Sequence, residues 1–213
     1  MPDKARPALT RDVILDAALH VMQTRGLANT TTREIAQAAG LSEAALYKHF
    51  DDKADLFVCL LRERLPDLSA ALRDLPKRVG QRSVRANLED LARVVLAFYQ
   101  DSAPFAASLF SRPELLVRYQ EHMRASGGGP HRAKDLLADY LRAEQRAGRV
   151  AQEANPQVAA MLLIGACLQR AFLGGLVGLA DSQADDESFV KDVVRFVMRA
   201  LSPTRQSSRS AAH

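Results

Sequence analysis

Residues 31–56 read "TTREIAQAAGLSEAALYKHFDDKADL" and contain the start and stop signals of two short helices. Thr31 and Glu34 have the spacing of a capping box, in which each side chain accepts a hydrogen bond from a backbone N–H at the start of a helix. Gly40 favours the end of that helix, because glycine adopts the left-handed conformation without steric cost. Ser42 provides an N-cap for a second helix. The stretch therefore predicts two short helices joined by a turn at Gly40.

Such a turn lets two helices pack at a steep angle, as in a helix-turn-helix. In that motif the second helix lies in the major groove of DNA, and the first crosses the phosphate backbone. The residues expected to face each other across the turn are Ile35, Ala36, Ala39, Leu41, Ala45 and Leu46. Many helical proteins contain short helices joined at glycine, so this pattern alone has low specificity.

Three neighbouring polar side chains of the second helix need a separate explanation. Leu46 and Phe50 are four residues apart and can share one buried face. Tyr47, Lys48 and His49 must then point elsewhere. Taken alone, they could be a half-buried aromatic, a solvated charge and a structural histidine; together, they could form an edge that faces DNA.

The motifs around this stretch are more specific than the turn. A helix predicted over 9–25 ends in "RG", and T-x-R-E-I-A-x-x-A-G-[LV]-S, L-Y-x-H-F, an acid-rich turn and K-x-x-L follow. This arrangement, over about residues 10–60, resembles the TetR/AcrR family of helix-turn-helix transcriptional regulators. The resemblance implies an all-α fold with an N-terminal three-helix helix-turn-helix domain and a C-terminal helical domain for ligand binding and dimerisation.

The resemblance also implies a function. It predicts a ligand-responsive transcriptional regulator, a repressor that binds a near-palindromic operator as a homodimer and is released by a small, largely apolar effector. The partners are then double-stranded operator DNA, a small molecule and a second copy of the chain, with no cofactor. The predicted domains are 1–55 for DNA binding and 56–201 for effector binding and dimerisation, followed by a disordered tail, 202–213.

Residues of both short helices, and of the helix after them, are implied to contact DNA. Thr32 and Arg33 would hold a phosphate where free N–H groups and the positive end of the helix dipole favour an anion. Glu43 and Ala44 would meet the base edges first. The full predicted set is Thr32, Arg33, Ser42, Glu43, Ala44, Tyr47, Lys48, His49 and Lys53.

The row 47–49 is predicted to hold the DNA backbone. Tyr47 and His49 can donate hydrogen bonds to phosphates, and Lys48 can reach a phosphate or a guanine edge. Lys53, at the start of a fourth helix, can bind another phosphate. Arg33 could instead pair with acids on its own helix.

Two features leave the operator sequence open. Glu43 is acidic, so its neighbours must outweigh its repulsion from phosphate, or it accepts a hydrogen bond from a cytosine amine. Ala44 and Ala45 offer methyl groups and no hydrogen bonds.

The basic residues Lys4, Arg6 and Arg11 are expected to form an N-terminal arm against the DNA backbone.

Bulk charge does not explain DNA binding in this chain. The sequence has a net charge of +4, but residues 1–60 contain seven Lys and Arg against eight Asp and Glu, for a net charge of −1. Local placement of the basic side chains must therefore attract the phosphates.

The sequence of the C-terminal half predicts further helices. They are predicted over 84–101, 131–147, 156–180 and 186–201, with shorter helices beginning at Pro104 and Pro113. Residues 75–83 form a basic connector, and "GGGP" at 127–130 is a loop. Aromatic and methionine side chains of these helices could line an apolar effector pocket or belong to an ordinary core. The candidates are Phe98, Phe105, Leu109, Phe110, Tyr119, Met123, Tyr140, Met161 and Phe172.

Helices 156–180 and 186–201 are apolar on more than one face, which a soluble chain must cover. They are expected to pair with their copies in a second subunit as a four-helix bundle, as in the family that the chain resembles. Charged substitutions at Val193 and Val197 are predicted to produce monomers.

Other functions have less support. Cys59 and Cys167 lack metal or redox spacing and are expected to be buried thiols. The longest uncharged run has 16 residues, fewer than the roughly 20 that a membrane-spanning helix needs, so a cytoplasmic location is expected. No nucleophile elbow, phosphate-binding glycine loop or HExxH motif indicates an enzyme. A DNA-binding protein without an effector remains the third alternative.

Overall fold

The computed structural model of the chain describes residues 5–26, 29–63, 68–110, 112–125, 130–177 and 183–202. These residues form α-helices and one 3-10 helix, and no strand occurs among them. The all-α prediction is confirmed. The predicted loop at 127–129 and the tail from 203 lie outside the described residues.

The N-terminal part contains four helices, and the second and third of them start at the capping signals of the sequence. They are α1 (Ala5–Arg25), α2 (Thr32–Ala38), α3 (Glu43–Leu46) and α4 (Lys53–Glu63). The capping box is complete, because the Thr31 side chain accepts from the Glu34 N–H and the Glu34 side chain from the Thr31 N–H. Gly40 has a φ of 69°, and the Ser42 hydroxyl accepts from the Ala45 N–H, so the predicted turn and second cap are also confirmed.

The second short helix ends earlier than the sequence suggests. α3 stops at Leu46, and residues 47–49 continue as tight turns. The Lys48 and His49 N–H groups donate to carbonyl oxygens three residues earlier, at 3.3 and 2.9 Å. Leu46 and Phe50 are both buried on either side of these turns, and Asp52 then caps α4 by accepting from the N–H groups of residues 54 and 55.

The C-terminal part contains six further α-helices among the described residues. They are α5 (Leu68–Asp74), α6 (Val84–Phe110), α7 (Pro113–Ala125), α8 (Pro130–Arg146), α9 (Pro156–Val177) and α10 (Gln183–Leu201), with a 3-10 helix over Leu75–Arg78. The predicted helices over 131–147, 156–180 and 186–201 correspond to α8, α9 and α10, although 178–180 lie outside the described residues. α5 and the 3-10 turn were not predicted.

The prediction that a new helix begins at Pro104 is wrong. α6 runs without interruption from Val84 to Phe110, so Pro104 lies within it. Proline removes one backbone hydrogen bond from a helix interior. Leu96 and Tyr99, before this point, are buried in the C-terminal part, and Leu109, after it, is buried against the N-terminal helices, so packing on both sides offsets the loss.

Two apolar clusters form the interior. The N-terminal cluster contains buried residues of α1 to α4, together with Leu109 of α6, and Leu115, Leu116 and Tyr119 of α7 pack against it. The C-terminal cluster joins α5, α6, α8, α9 and α10. Helix α7 therefore follows the C-terminal helix α6 in the chain but packs on the N-terminal core.

The two cysteines are both buried thiols, as predicted. Burial raises the pKa of the Cys167 thiol to about 12, so this thiol stays protonated at neutral pH.

A buried ion pair fixes the turn after α8. The Glu144 side chain is fully buried, and Arg149 Nε lies 3.0 Å from Glu144 Oε2. The Arg149 guanidinium also donates to the carbonyl oxygen of Arg82 at 2.6 Å, which ties this turn to the segment before α6. Loss of the arginine would leave a buried carboxylate without a counter-charge.

Arg149→Met should therefore lower the free energy of unfolding by about 3–5 kcal/mol, measured by urea denaturation. The matched control is Arg142→Met, which breaks the exposed pair of Arg142 with Asp139 on the same helix. The control should cost less than about 1 kcal/mol. Equal, small losses in both variants would contradict the assigned role of the buried pair.

Candidate nucleic-acid interface

The helix-turn-helix is held rigid from its inner side. The Leu41 N–H donates to the Ala36 carbonyl oxygen at 2.8 Å across the Gly40 turn. Ile35, Leu46 and Phe50 are buried in the N-terminal cluster. Because their apolar side chains fix α2 and α3 against α1 and α4, the opposite side of the motif presents its polar groups in a fixed arrangement.

Tyr47 and Lys48 project from this outer side. The Tyr47 side chain is 48% exposed, and Lys48 is exposed as well. His49 is half-buried. The tight turn after α3 thus leaves a phenol and an ammonium side by side in solvent, as the sequence predicted for an edge that faces DNA.

A short hydrogen-bond chain connects this edge to the start of α2. The Thr32 hydroxyl donates to Glu43 Oε1 at 2.6 Å, and Thr32 Oγ1 lies 3.1 Å from the Tyr47 hydroxyl. Since the single proton of Thr32 goes to Glu43, the Tyr47 hydroxyl donates to Thr32. Glu43 is therefore engaged by a neighbour of its own motif, which reduces its repulsion from an approaching phosphate.

Arg33 is exposed, and its side chain has no hydrogen-bond or ion-pair partner among the described residues. The acid beside it, Glu34, instead pairs with Arg25 at 2.6 Å and closes the capping box. The alternative that Arg33 pairs with acids of its own helix is therefore wrong. Its guanidinium is available to a ligand.

Lys53 is half-buried behind this edge, and its ammonium donates to the Thr30 carbonyl oxygen. Burial, together with the nearby charge of Arg112, lowers the pKa of Lys53. The bond to Thr30 holds the ammonium at the predicted interface.

The remaining predicted DNA contacts take different positions. The Ser42 hydroxyl caps α3, and Ala44 is exposed on that helix. Arg11, expected in an N-terminal arm, makes a two-point pair with Glu63 and lies over the Phe50 ring, 5.2 Å from its centre. Arg11 therefore holds α1 against α4 and does not belong to an arm. Lys4 and the Arg6 side chain lie outside the described residues.

An open cleft of about 460 Å³ runs along the predicted interface. Its walls come from both halves of the chain, because Arg112 lies between α6 and α7. The lining residues are Asn29, Thr30, Thr31, Thr32, Tyr47, Lys53 and Arg112. Sequence reasoning missed Arg112, since its sequence context is an ordinary helix junction and only folding brings it near Lys53.

Comparisons with known proteins agree with this geometry. The family model described as "Bacterial regulatory proteins, tetR family" matches residues 14–59, and the model of the "AefR-like transcriptional repressor, C-terminal domain" matches residues 105–202. The chain belongs to the TetR family. It is therefore a DNA-binding transcriptional regulator with an N-terminal helix-turn-helix, as the resemblance implied.

Individual relatives extend the match over the whole chain. The transcriptional repressor BepR of Brucella suis is 29% identical over 99% of this chain and 97% of its own. A crystal structure of a Mesorhizobium loti protein assigned to the TetR family covers 92% of this chain and 98% of its own, with 20% identity and a TM-score of 0.73. The structure of SmeT, the repressor of the Stenotrophomonas maltophilia efflux pump SmeDEF, covers 92% of this chain and 91% of its own, with 22% identity and a TM-score of 0.62.

The residues predicted to line an effector pocket lie in separate places. Leu109 is buried in the N-terminal cluster, and Tyr119 packs against that cluster. Tyr140 is buried in the C-terminal cluster, where its hydroxyl accepts from Asn87 Nδ2 at 3.0 Å, and Phe98 packs beside it.

The other pocket candidates are nearer the surface. Met123 is half-buried on α7. The Phe105 side chain lies outside the described residues. The exposed candidates are Phe110, Met161 and Phe172. Met161 and Phe172 share the outward face of α9, so the structure does not bring the described candidates together around one cavity.

Lys48→Ala should weaken binding to operator DNA roughly tenfold, because it removes a cation that can reach a phosphate. Tyr47→Phe should weaken it severalfold, because it removes a hydroxyl whose proton can turn from Thr32 to a phosphate when DNA binds. Affinity would be measured by fluorescence anisotropy on the duplex that the protein protects next to its own gene. Melting temperatures should stay within about 1 °C of the wild type, since both side chains are exposed.

Arg73→Ala, which removes an exposed cation of α5, is the matched control and should bind DNA like the wild type. A loss of folding in the Lys48 or Tyr47 variants would instead assign these side chains to the core.

Proposed function

We propose that this chain is a homodimeric repressor that binds a near-palindromic operator and is released by a small, largely apolar effector. The observation that carries the proposal is the rigid helix-turn-helix that presents Tyr47 and Lys48 in solvent. Two such motifs in a dimer would meet successive major grooves, about 34 Å apart. The chain supplies DNA contacts and no reaction chemistry, and it acts in the cytoplasm.

An uncovered apolar face on the last two helices supports the dimer. Residues of α9 at helical spacing form a stripe in solvent, and Phe196 of α10 is 66% exposed beside it. The stripe contains Val158, Met161, Leu162, Leu168, Phe172, Leu173, Leu176 and Val177. A contiguous apolar patch of this kind is typical of a protein interface, and a four-helix bundle with a second copy would cover it.

An alternative interpretation of the same stripe is that α9 spans a membrane, which we do not favour. α9 is long and apolar enough to cross a bilayer by length and composition alone. Its other face, however, packs on α6 and α8 through Leu163 and Cys167. Arg170 of the same helix pairs with Asp186 at 2.8 Å, and a guanidinium at this position is costly in hydrocarbon.

The described contacts also indicate how an effector could act. α7 packs on α4, with the Phe57 and Tyr119 rings 5.8 Å apart, and Arg118 Nη1 lies 2.6 Å from Asp52 Oδ2. An effector that binds better when α7 is displaced would move α4 and change the spacing of the two recognition helices, which is a population shift.

The relatives support this scheme by analogy. BepR is named as a repressor, and SmeT is described as the repressor of a multidrug efflux pump. A pump substrate is a reasonable class of effector for the present chain, since its middle helices are rich in aromatic side chains.

A footprint on the DNA next to its own gene tests the proposed function. The protein should protect one discrete site, and the logarithm of its affinity should fall with log salt with a slope of about −5 to −9, as six to ten phosphate contacts require. Equal affinity for unrelated DNA of the same length would contradict a site-specific regulator.

The structure changes the choice of residues for testing the dimer. Val197, predicted to lie at the subunit contact, is only 3% exposed and belongs to the core of the single chain, and Val193 packs against that core. Substitutions there would unfold the chain. Phe196 and Leu176, which are 66% and 71% exposed, are the appropriate positions.

The double variant Leu176→Asp, Phe196→Asp should sediment as a monomer with an unchanged helical content. Val117→Asp, which adds a charge at a 52% exposed apolar position of α7, should remain dimeric. A dimer of unchanged affinity in the double variant would show that subunits meet elsewhere.

A further inference from the structure

The junction between α6 and α7 brings a cation of the C-terminal half to the DNA-binding surface. Arg112 is the only residue between Phe110 and Pro113 that the structure describes, and its side chain is exposed. Its N–H donates to the Leu109 carbonyl oxygen at 3.1 Å, and its own carbonyl oxygen accepts from the Leu116 N–H at 3.0 Å. The backbone at Arg112 is therefore held on both sides.

The same junction is anchored to the N-terminal core. Leu109 is 5% exposed within the N-terminal cluster, and Leu115 and Leu116 pack against that cluster. Arg118, on the same helix, pairs with Asp52 at the start of α4. These contacts fix the position of Arg112 relative to α4 and not only relative to α6.

The cleft that Arg112 enters favours an anion. Its seven lining residues include two cations, Lys53 and Arg112, and no carboxylate. The cations are close enough for the charge of Arg112 to act on Lys53. Glu34 acts on Lys53 in the opposite sense but does not line the cleft. Like charges that converge in a cleft without a carboxylate in its lining raise the energy of the free protein, and an anion in the cleft lowers it.

The acids around the cleft are already engaged. Glu43 accepts from Thr32, and Glu34 pairs with Arg25 and caps α2. Asp52 pairs with Arg118 and caps α4, and Asp55 accepts from the Asp51 N–H. The Arg112 guanidinium itself has no hydrogen-bond or ion-pair partner among the described residues.

We propose that Arg112 binds a backbone phosphate of the operator in this cleft, beside Tyr47, Thr32 and Lys53. The DNA contacts would then include one residue from the C-terminal half of each protomer. The inference rests on the proposed function, because it assigns the anion to DNA that the helix-turn-helix has already engaged.

The contact between Arg112 and a phosphate would couple effector binding directly to the affinity for DNA. An effector that displaces α7 would withdraw Arg112 from the phosphate at the same time as it changes the spacing of the recognition helices. Release from DNA would therefore include the loss of two ion contacts per dimer, one from each protomer.

The test compares the salt dependence of binding for three variants on the labelled duplex that contains the footprinted site. Arg112→Ala should weaken binding roughly tenfold at 100–200 mM salt and make the slope of log affinity against log salt shallower by about 1.8, as the loss of two phosphate contacts requires. Arg112→Lys should keep most of the slope. Arg124→Ala, which removes an exposed cation from the other end of α7, should change neither quantity.

Other results would overturn the inference and remain distinguishable from a failure of the proposed function. If Lys48→Ala lowers the slope and Arg112→Ala leaves it unchanged, the protein is an operator-binding regulator in which Arg112 makes no DNA contact. If inorganic phosphate raises the melting temperature of the wild type and not of Arg112→Ala, with identical DNA slopes, the cleft binds a free anion instead. If the wild type protects no DNA site, both proposals fail together. An unchanged melting temperature in Arg112→Ala confirms that the variant is folded.

Discussion

The packing of α7 on α4 is the contact on which the proposed regulation of this molecule depends. Tyr119 lies against Phe57, and Arg118 pairs with Asp52, whose other carboxylate oxygen caps α4. The Asp52 side chain thus both caps α4 and binds the C-terminal half through Arg118. A displacement of α7 must break this pair or carry the start of α4 with it, and Lys53 is the first residue of α4.

The DNA-binding surface shows how local bonds compensate for an unfavourable overall charge. Residues 1–60 have a net charge of −1, which would repel a phosphate backbone. Several acids of this region already have partners in the fold: Glu43 accepts from Thr32, Glu34 pairs with Arg25, and Asp52 pairs with Arg118. The cations left toward solvent, Arg33 and Lys48, then determine the local potential.

The sequence predicts the helices of this N-terminal half well, because the ends of these helices depend on single residues. Thr31, Gly40 and Ser42 specify caps and a turn whose hydrogen bonds are local, so the pattern of residues is sufficient. The length of α3 was overestimated, because no residue of 43–50 marks the end of this helix at Leu46 in the way that Gly40 marks the end of α2. The orientation of Arg11 toward Glu63, 52 residues away, is a tertiary contact that no local pattern predicts.

The C-terminal half was predicted less completely for the same physical reason. Helices with a proline start, such as α7 and α9, are found from sequence, but Pro104 marks no boundary because the packing of α6 outweighs one lost hydrogen bond. The faces of α10 could not be assigned from composition, since Val193, Phe196 and Val197 are all apolar, and only the fold shows that Phe196 is the one in solvent. Arg112 lies near Lys53 only because the folded chain brings the start of α7 back to α4.

The structure of the protein bound to its protected DNA fragment tests the central claim most directly. We expect a dimer joined through the outward faces of α9 and α10, with α3 in the major groove, Tyr47 and Lys48 at phosphates, and the guanidinium of Arg112 within hydrogen-bond distance of the backbone. A complex in which DNA contacts another face of the chain, or in which α3 lies away from the groove, would contradict the account.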